Sequence, residues 1–259
     1  GSRVKRVTSS TLSTPAPGAI GRIVNVARLH LVNKGQIVVV PWLIMAFIFA
    51  VTLLIGWILR SSLSANDLAE AGEGMQYSGA IGYFLVYMLV IAVMAINQTF
   101  PFAQSYSVTR RDFYLGTITA FVLLSLAYSL AITVLGWLED ITHGWGVGTV
   151  LFSPGYLSPN LIERFYVALV LFLFFFMMGI AVASVYVRWR VNGMLVFFAA
   201  LILLILGLVA LTTFTSSWVV VGEWFVTMGF LGVVTWTLLP TTLATVFGFF
   251  LLRRATPRN

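Results

Sequence analysis

Cysteine is absent from the 259 residues, so neither a disulfide framework nor a thiolate metal site can be built. Histidine is nearly absent: His30 and His143 stand far apart and leave no imidazole cluster to hold a metal. Charge is scarce as well, since only 9% of residues are Asp, Glu, Lys or Arg, where a soluble domain carries about 25%. With 60% hydrophobic residues and a mean hydropathy of +1.00, the chain has more apolar surface than a soluble core of this size can hide. Also missing are a Gly-rich phosphate loop ending in Lys and Ser or Thr, paired acids at helical spacing inside an apolar run, and a His-Glu-x-x-His helix. The chain by itself is therefore read as neither an ATPase nor a metal enzyme, and no cofactor is expected in it.

What it has in abundance is long apolar sequence. Runs cover 37–59, 79–102, 114–138 and 165–187, and the stretch 194–252 holds no Lys or Arg and a single acid, Glu223. A helix of about 20 apolar residues crosses a hydrocarbon layer roughly 30 Å thick, so the last stretch accommodates two crossings, placed at 194–214 and 226–252. The expected fold is an all-α integral membrane protein with six transmembrane helices over 37–252.

The connections carry the polar residues: a loop through Asn66, Asp67, Glu70 and Glu73, a long loop at 139–163, and a tight basic turn at 188–193. Of the fifteen Lys and Arg, thirteen fall on one side of that arrangement and only Arg60 and Arg164 on the other. Basic residues near span ends stay in the cytoplasm, which puts both termini inside. The formal charge of +7 is spread in small groups between apolar runs, not gathered into one basic domain, so nucleic acid is not an expected partner.

Ahead of the first run, residues 1–18 read as a flexible cytoplasmic tail, and 253–259 as a second one. Between the first tail and the first run, 19–36 forms an amphipathic segment in which Ile20, Ile23, Val24, Ala27 and Leu31 recur at helical spacing opposite a basic polar face. Such a helix is expected to lie in the inner headgroup layer, in contact with membrane lipid; a cytoplasmic extension of the first span is the alternative.

Within the runs, Glu223 reads as an outer-surface acid flanked by Trp218 and Trp224, with 219–230 as a re-entrant element or Glu223 on a transport path as alternatives. Asn97 and Gln98 suit hydrogen bonds between helices more than substrate contacts, and Gly179 with Ala183 suits close helix packing. The most informative segment is Ser107 to Gly116, SVTRRDFYLG. Thr109 can cap a short helix starting at Arg110, and Phe113 and Tyr114 would give that helix an aromatic face beside the guanidinium groups of Arg110 and Arg111, with Asp112 between. Taken by charge alone, the Arg pair is a membrane anchor.

The segment resembles the permease subunits of ABC-2 type (type V) ATP-binding cassette exporters, whose region between the second and third spans often reads Gly or Ser, x, Ser or Thr, Arg, Arg, x, aromatic, x, x, Gly. The ending from Leu252 to Pro257 is similar too, and in topology the resemblance runs from Ile20 onward. It implies an elbow helix before the first span, a cytoplasmic coupling helix made by Thr109, Arg110, Arg111, Asp112, Phe113 and Tyr114, and re-entrant helices before the last span. It further implies a multi-pass protein of a bacterial plasma membrane that pairs with a second permease copy or a related permease. The same likeness implies a separate ABC ATPase subunit that binds ATP and Mg. A non-transporting scaffold or sensor subunit and an ion-coupled carrier are the other functions weighed; the carrier is disfavoured because the spans lack acids and histidines.

Overall fold

The computed structural model describes residues 18–32, 35–75, 80–105 and 108–254. Residues 1–17, Lys34, Ser107 and 255–259, named in the sequence reading, lie outside the described residues. Among the described residues the protein is helical with no strand: α1 (Ala19–Val32), a π-helical turn (Gly35–Val39) that runs into α2 (Val40–Ser62), α3 (Ala65–Met75), α4 (Ala80–Ser105), α5 (Arg110–Ile141), α6 (Leu161–Phe214), α7 (Trp218–Trp236) and α8 (Leu238–Arg254). Five stretches are long and apolar enough to cross a membrane: Gly35–Ser62, Ile81–Ala103, Arg110–Ile141, Leu161–Phe214 and Trp218–Arg254.

Three elements differ from the sequence reading. The polar stretch after α2 is helix α3, because Ser64 supplies an N-cap: its hydroxyl donates to the Asp67 carboxylate at 2.6 Å and accepts from the Asp67 amide at 3.4 Å. The basic turn at 188–193 is a break of one residue, Arg190 (φ 58, ψ −149), inside the 54 residues of α6. The run 226–252 is not one helix, since Gly229 (φ 66, ψ 178) interrupts α7 and Thr237 separates α7 from α8. Only glycine takes the Gly229 conformation without strain.

The core lies where α4, α5 and the first half of α6 meet, around Phe84, Phe121, Tyr128, Phe172 and Phe176. Gly179 lets α6 close on α4, since a Cβ there would stand 2.6 Å from the Leu89 carbonyl oxygen. Beyond Arg190, no residue of α6 is buried.

α1 and α2 follow α5 in succession. Arg22 meets Asp112, His30 meets Thr117, and the Tyr128 hydroxyl donates to the Ile37 carbonyl. That carbonyl belongs to the π-helical turn, where the altered hydrogen-bond ladder leaves acceptors to be satisfied by other groups; Tyr87 likewise donates to Gln36 at 3.3 Å.

At the far end of α5 a single acid organises the loop to α6. Glu139 is 1% exposed. Its carboxylate accepts from the amides of Leu151 (2.9 Å), Phe152 (3.1 Å) and Ser153 (3.0 Å), the Ser153 hydroxyl (2.8 Å) and the Trp145 indole (3.0 Å). Next to it Arg164 pairs with Asp140 at 2.5 Å and donates to the Ser158 carbonyl at 2.7 Å. Truncating Glu139 leaves buried amides without an acceptor, a loss of about 3 kcal/mol. Glu139→Ala is therefore expected to lower the unfolding midpoint in detergent and to open residues 144–158 to protease, while Glu163→Ala, at a half-buried site, changes neither; both are read by thermal unfolding and limited proteolysis.

Candidate functional site

The segment singled out in the sequence begins α5, and the structure sets each residue in a definite place. Thr109 is exposed and caps the helix, its hydroxyl accepting from the Asp112 amide at 3.1 Å. The helix it starts is α5 itself, continuous for 32 residues, and no separate short helix stands between α4 and α5 among the described residues. Arg111 is exposed and Arg110 half-buried, with its guanidinium donating to the Arg253 carbonyl at the end of α8 (3.0 Å).

The expected aromatic face is corrected. Phe113 is 0% and Tyr114 2% exposed, so neither offers an anchor to another protein. Phe113 packs against Phe100 and His30, and Tyr114 against Phe249, with its hydroxyl donating to the Thr245 carbonyl. Phe113 and Tyr114 follow Arg110 by three and four places and so lie on its side of the helix, and that side is covered: Arg110 is itself half-buried against the end of α8, while Arg111, two places before Phe113, stays exposed. Asp112 is buried as well and forms a 2.7 Å ion pair with Arg22 of α1.

α1 is the second half of the site. It advances with α5 instead of crossing it: Arg22 at Asp112, Val26 at Gly116, His30 at Thr117. The face turned inward is Val26, Ala27 and His30, flanked by the half-buried Ile23 and Leu31, while Ile20 and Val24 point outward at 79% and 45% exposure. The apolar stripe thus divides between two faces, because Val26 and His30, not Ile20 and Val24, complete the packed side. Gly116 explains the approach, since a Cβ there would lie 2.6 Å from the Val26 side chain and 2.7 Å from the Ile23 carbonyl oxygen.

His30 closes the junction of α1, α4 and α5. It is 2% exposed, with its Nε2 2.7 Å from the Thr117 hydroxyl and its Nδ1 3.5 Å from that of Thr99. Burial drives its pKa from 6.5 down to about 4, because the neighbours are hydroxyls and the rings of Phe113 and Phe121 rather than a carboxylate. Sequence reasoning missed His30, Arg22 and the role of Gly116; the spacing of 22, 26 and 30 carries helical periodicity, but two of the three are polar and so do not register in an apolar stripe.

The basic residues gather at this end of the bundle. Gly248 of α8 lies against Tyr114 and Ser184, so the ends of α8 (Arg253, Arg254) and of the first half of α6 (Arg188, Arg190), each about six residues further on, come level with the start of α5. At the other end, a cavity of about 230 Å³ lies between α4, α5 and α6 beside Arg164, roofed by Tyr156 and Phe230, whose rings sit 5.2 Å apart. Glu223 is exposed on α7. Asn97 and Gln98 stand on α4, and the Asn97 carbonyl oxygen is buried with no partner among the described residues. No cluster of three His, Asp or Glu occurs among the described residues. No protein-family model, curated protein or solved structure matches this chain.

Two outcomes test the junction. A ring with pKa 6.5 when unfolded and about 4 when folded favours the folded state fully above pH 6.5; that contribution, about 3 kcal/mol, is lost as pH falls from 6.5 towards 4. Acid destabilisation in that window, followed by melting, is expected to flatten in His30→Gln. Gly116→Val is expected to displace α1, read as faster thiol labelling of a cysteine placed at Val26, with α5 still inserted.

Proposed function

We propose that the chain is the transmembrane permease subunit of an ATP-binding cassette exporter, acting as a dimer and driven by a separate ATPase subunit that binds ATP and Mg. The observation that carries the reading is the basic end of the bundle. Arg110, Arg111, Arg253 and Arg254 lie together there, with Arg110 holding the end of α8 and with α1 fastened to the same turn of α5 through Arg22 and Asp112. A force applied to that surface reaches three helices at once. Coupling of this kind requires that the ATPase contact the two states of the permease with different free energy.

Six crossings are part of the proposal. At 1.5 Å per residue, the 54 residues of α6 measure roughly 80 Å, far beyond a hydrocarbon layer of about 30 Å, so the break at Arg190 divides them into two crossings. Trp218 to Met228, ahead of the Gly229 break, then serves as the re-entrant element, and the remainder through α8 as the last crossing. The basic residues at one end support placing that end, and both termini, in the cytoplasm, and a bacterial plasma membrane is part of the proposal. The spans carry few charges, which suits an amphiphilic cargo better than a small ion.

The contact surface for the ATPase is narrower than the sequence motif. Thr109, Arg110 and Arg111 are its accessible part, while Asp112, Phe113 and Tyr114 hold that surface in place from below. Guanidinium groups make planar, multi-donor contacts that an ammonium cannot reproduce. Arg110→Lys with Arg111→Lys is therefore expected to keep insertion normal while reducing ATPase co-purification and cargo-stimulated hydrolysis by about tenfold. Unchanged coupling in that variant returns the pair to a membrane anchor. Phe113→Ala is expected to cost about 3–5 kcal/mol of stability even without the ATPase, as a core truncation does. Cysteines at Ala65 and Gly146 are expected to react with an impermeant reagent from outside cells, and one at Thr109 only after permeabilisation.

A further inference from the structure

The break in α6 combines a strained backbone with two arginines held against aromatic rings. Arg190 holds φ 58 and ψ −149, a conformation that costs a non-glycine residue strain and that persists only where the surroundings impose it. Just before the break and at it the guanidinium groups lie on the protein's own rings: Arg188 stands 4.6 Å from the centre of Trp189 and Arg190 5.6 Å from that of Tyr186. Among the described residues, no carboxylate comes within ion-pair distance of either, the two ion pairs being Arg22 with Asp112 and Arg164 with Asp140. Two positive charges are thus oriented and uncompensated.

Directly beyond them is a groove of about 490 Å³ lined by Trp189, Asn192, Gly193, Val196, Phe197 and Ala200. It exists because position 193 is glycine; a Cβ there would collide with the Trp189 side chain. The walls are apolar from Val196 onward, and the polar Asn192 sits at the charged end. From Val191, just past the break, to Ala200 the helix rises about 14 Å, close to half of a hydrocarbon layer roughly 30 Å thick. The groove is therefore one leaflet deep, with cations at its headgroup end.

We propose that this groove binds an anionic phospholipid of the leaflet at the basic end of the bundle. Its phosphate sits at Arg188, Arg190 and Asn192, and one acyl chain lies along Val196, Phe197 and Ala200. A free anion satisfies only the guanidinium groups and a neutral lipid only the groove; an anionic diacyl lipid satisfies both. The site depends on membrane placement of α6 and not on the exporter reading, so its test needs no ATPase.

The test is tryptophan quenching in vesicles. The full chain is reconstituted in phosphatidylcholine with 10 mol% of either brominated phosphatidylglycerol or brominated phosphatidylcholine, and the Trp189 contribution is obtained by difference from Trp189→Phe. Attraction of about one to two basic side chains to an anionic surface corresponds to a preference for the brominated phosphatidylglycerol of roughly fivefold to thirtyfold. That preference is expected to vanish in Arg188→Gln with Arg190→Gln, and to fall in Gly193→Leu, which fills the groove while keeping both charges. Soluble glycerol phosphate at millimolar concentration is expected not to relieve the quenching. Equal quenching by the two lipids, a preference retained in the double Gln variant, relief by glycerol phosphate, or exclusion of both lipids by a second copy of the chain would each overturn the proposal. Circular dichroism and gel filtration of each variant establish that it remains folded, and the Arg→Gln pair, at a half-buried and an exposed position, supplies the decisive comparison if Gly193→Leu does not fold.

Discussion

One carboxylate holds the far end of the bundle together. Glu139 takes donors from three consecutive backbone amides, and the segment it captures then touches everything around it. Arg60 at the end of α2 donates to the Gly146 carbonyl, Phe49 packs against Trp145 and Phe152, and Gly136 of α5 lies beneath the Phe152 carbonyl. Arg164 secures the other end of the loop to Asp140 and the Ser158 carbonyl, and so fixes where α6 starts. A loop of irregular backbone next to a bilayer has few ways to satisfy its amides. A single carboxyl side chain that accepts five donors solves this in one place, and the relative positions of α2, α5 and α6 follow.

The opposite end is organised by closeness more than by charge. Gly116 brings α1 against α5, and Gly248 brings α8 against Tyr114 and Ser184. The Arg22–Asp112 pair and the His30–Thr117 contact then complete a packed surface that glycine made possible. Buried polar contacts of this kind add modest stability but fix register, because a shift of one residue leaves each of them unpaired.

Much of the architecture was legible. Apolar runs located the long helices, and Thr109 announced the start of α5. The failures share a cause. Glu139 looks like the first polar residue of a loop, since its partners are backbone amides 12 to 14 residues away and leave no mark on the sequence. Phe113 and Tyr114 look like an exposed aromatic face because aromatics beside arginines suit a surface and a core equally. The turn at 188–193 was read from composition, whereas the backbone needed only Arg190 to leave the helical region. In α1, counting only apolar residues rotated the packed face away from Val26 and His30. For Glu139, Phe113, Tyr114 and the packed face of α1, partners that are not adjacent in sequence decided the outcome.

The pairing of α1 with α5 also has a history in time. Arg22 and Asp112 are 90 residues apart, and everything from α2 to α4 is synthesised between them. At about 5–20 residues per second, a ribosome leaves α1 without its docking surface for roughly 5–18 s. Through that interval Val26, Ala27 and the neutral ring of His30 face solvent or lipid, and Asp112 is still to be made. The docking of α1 therefore waits for a surface that did not exist when α1 was made, and α8, made later still, completes the same end.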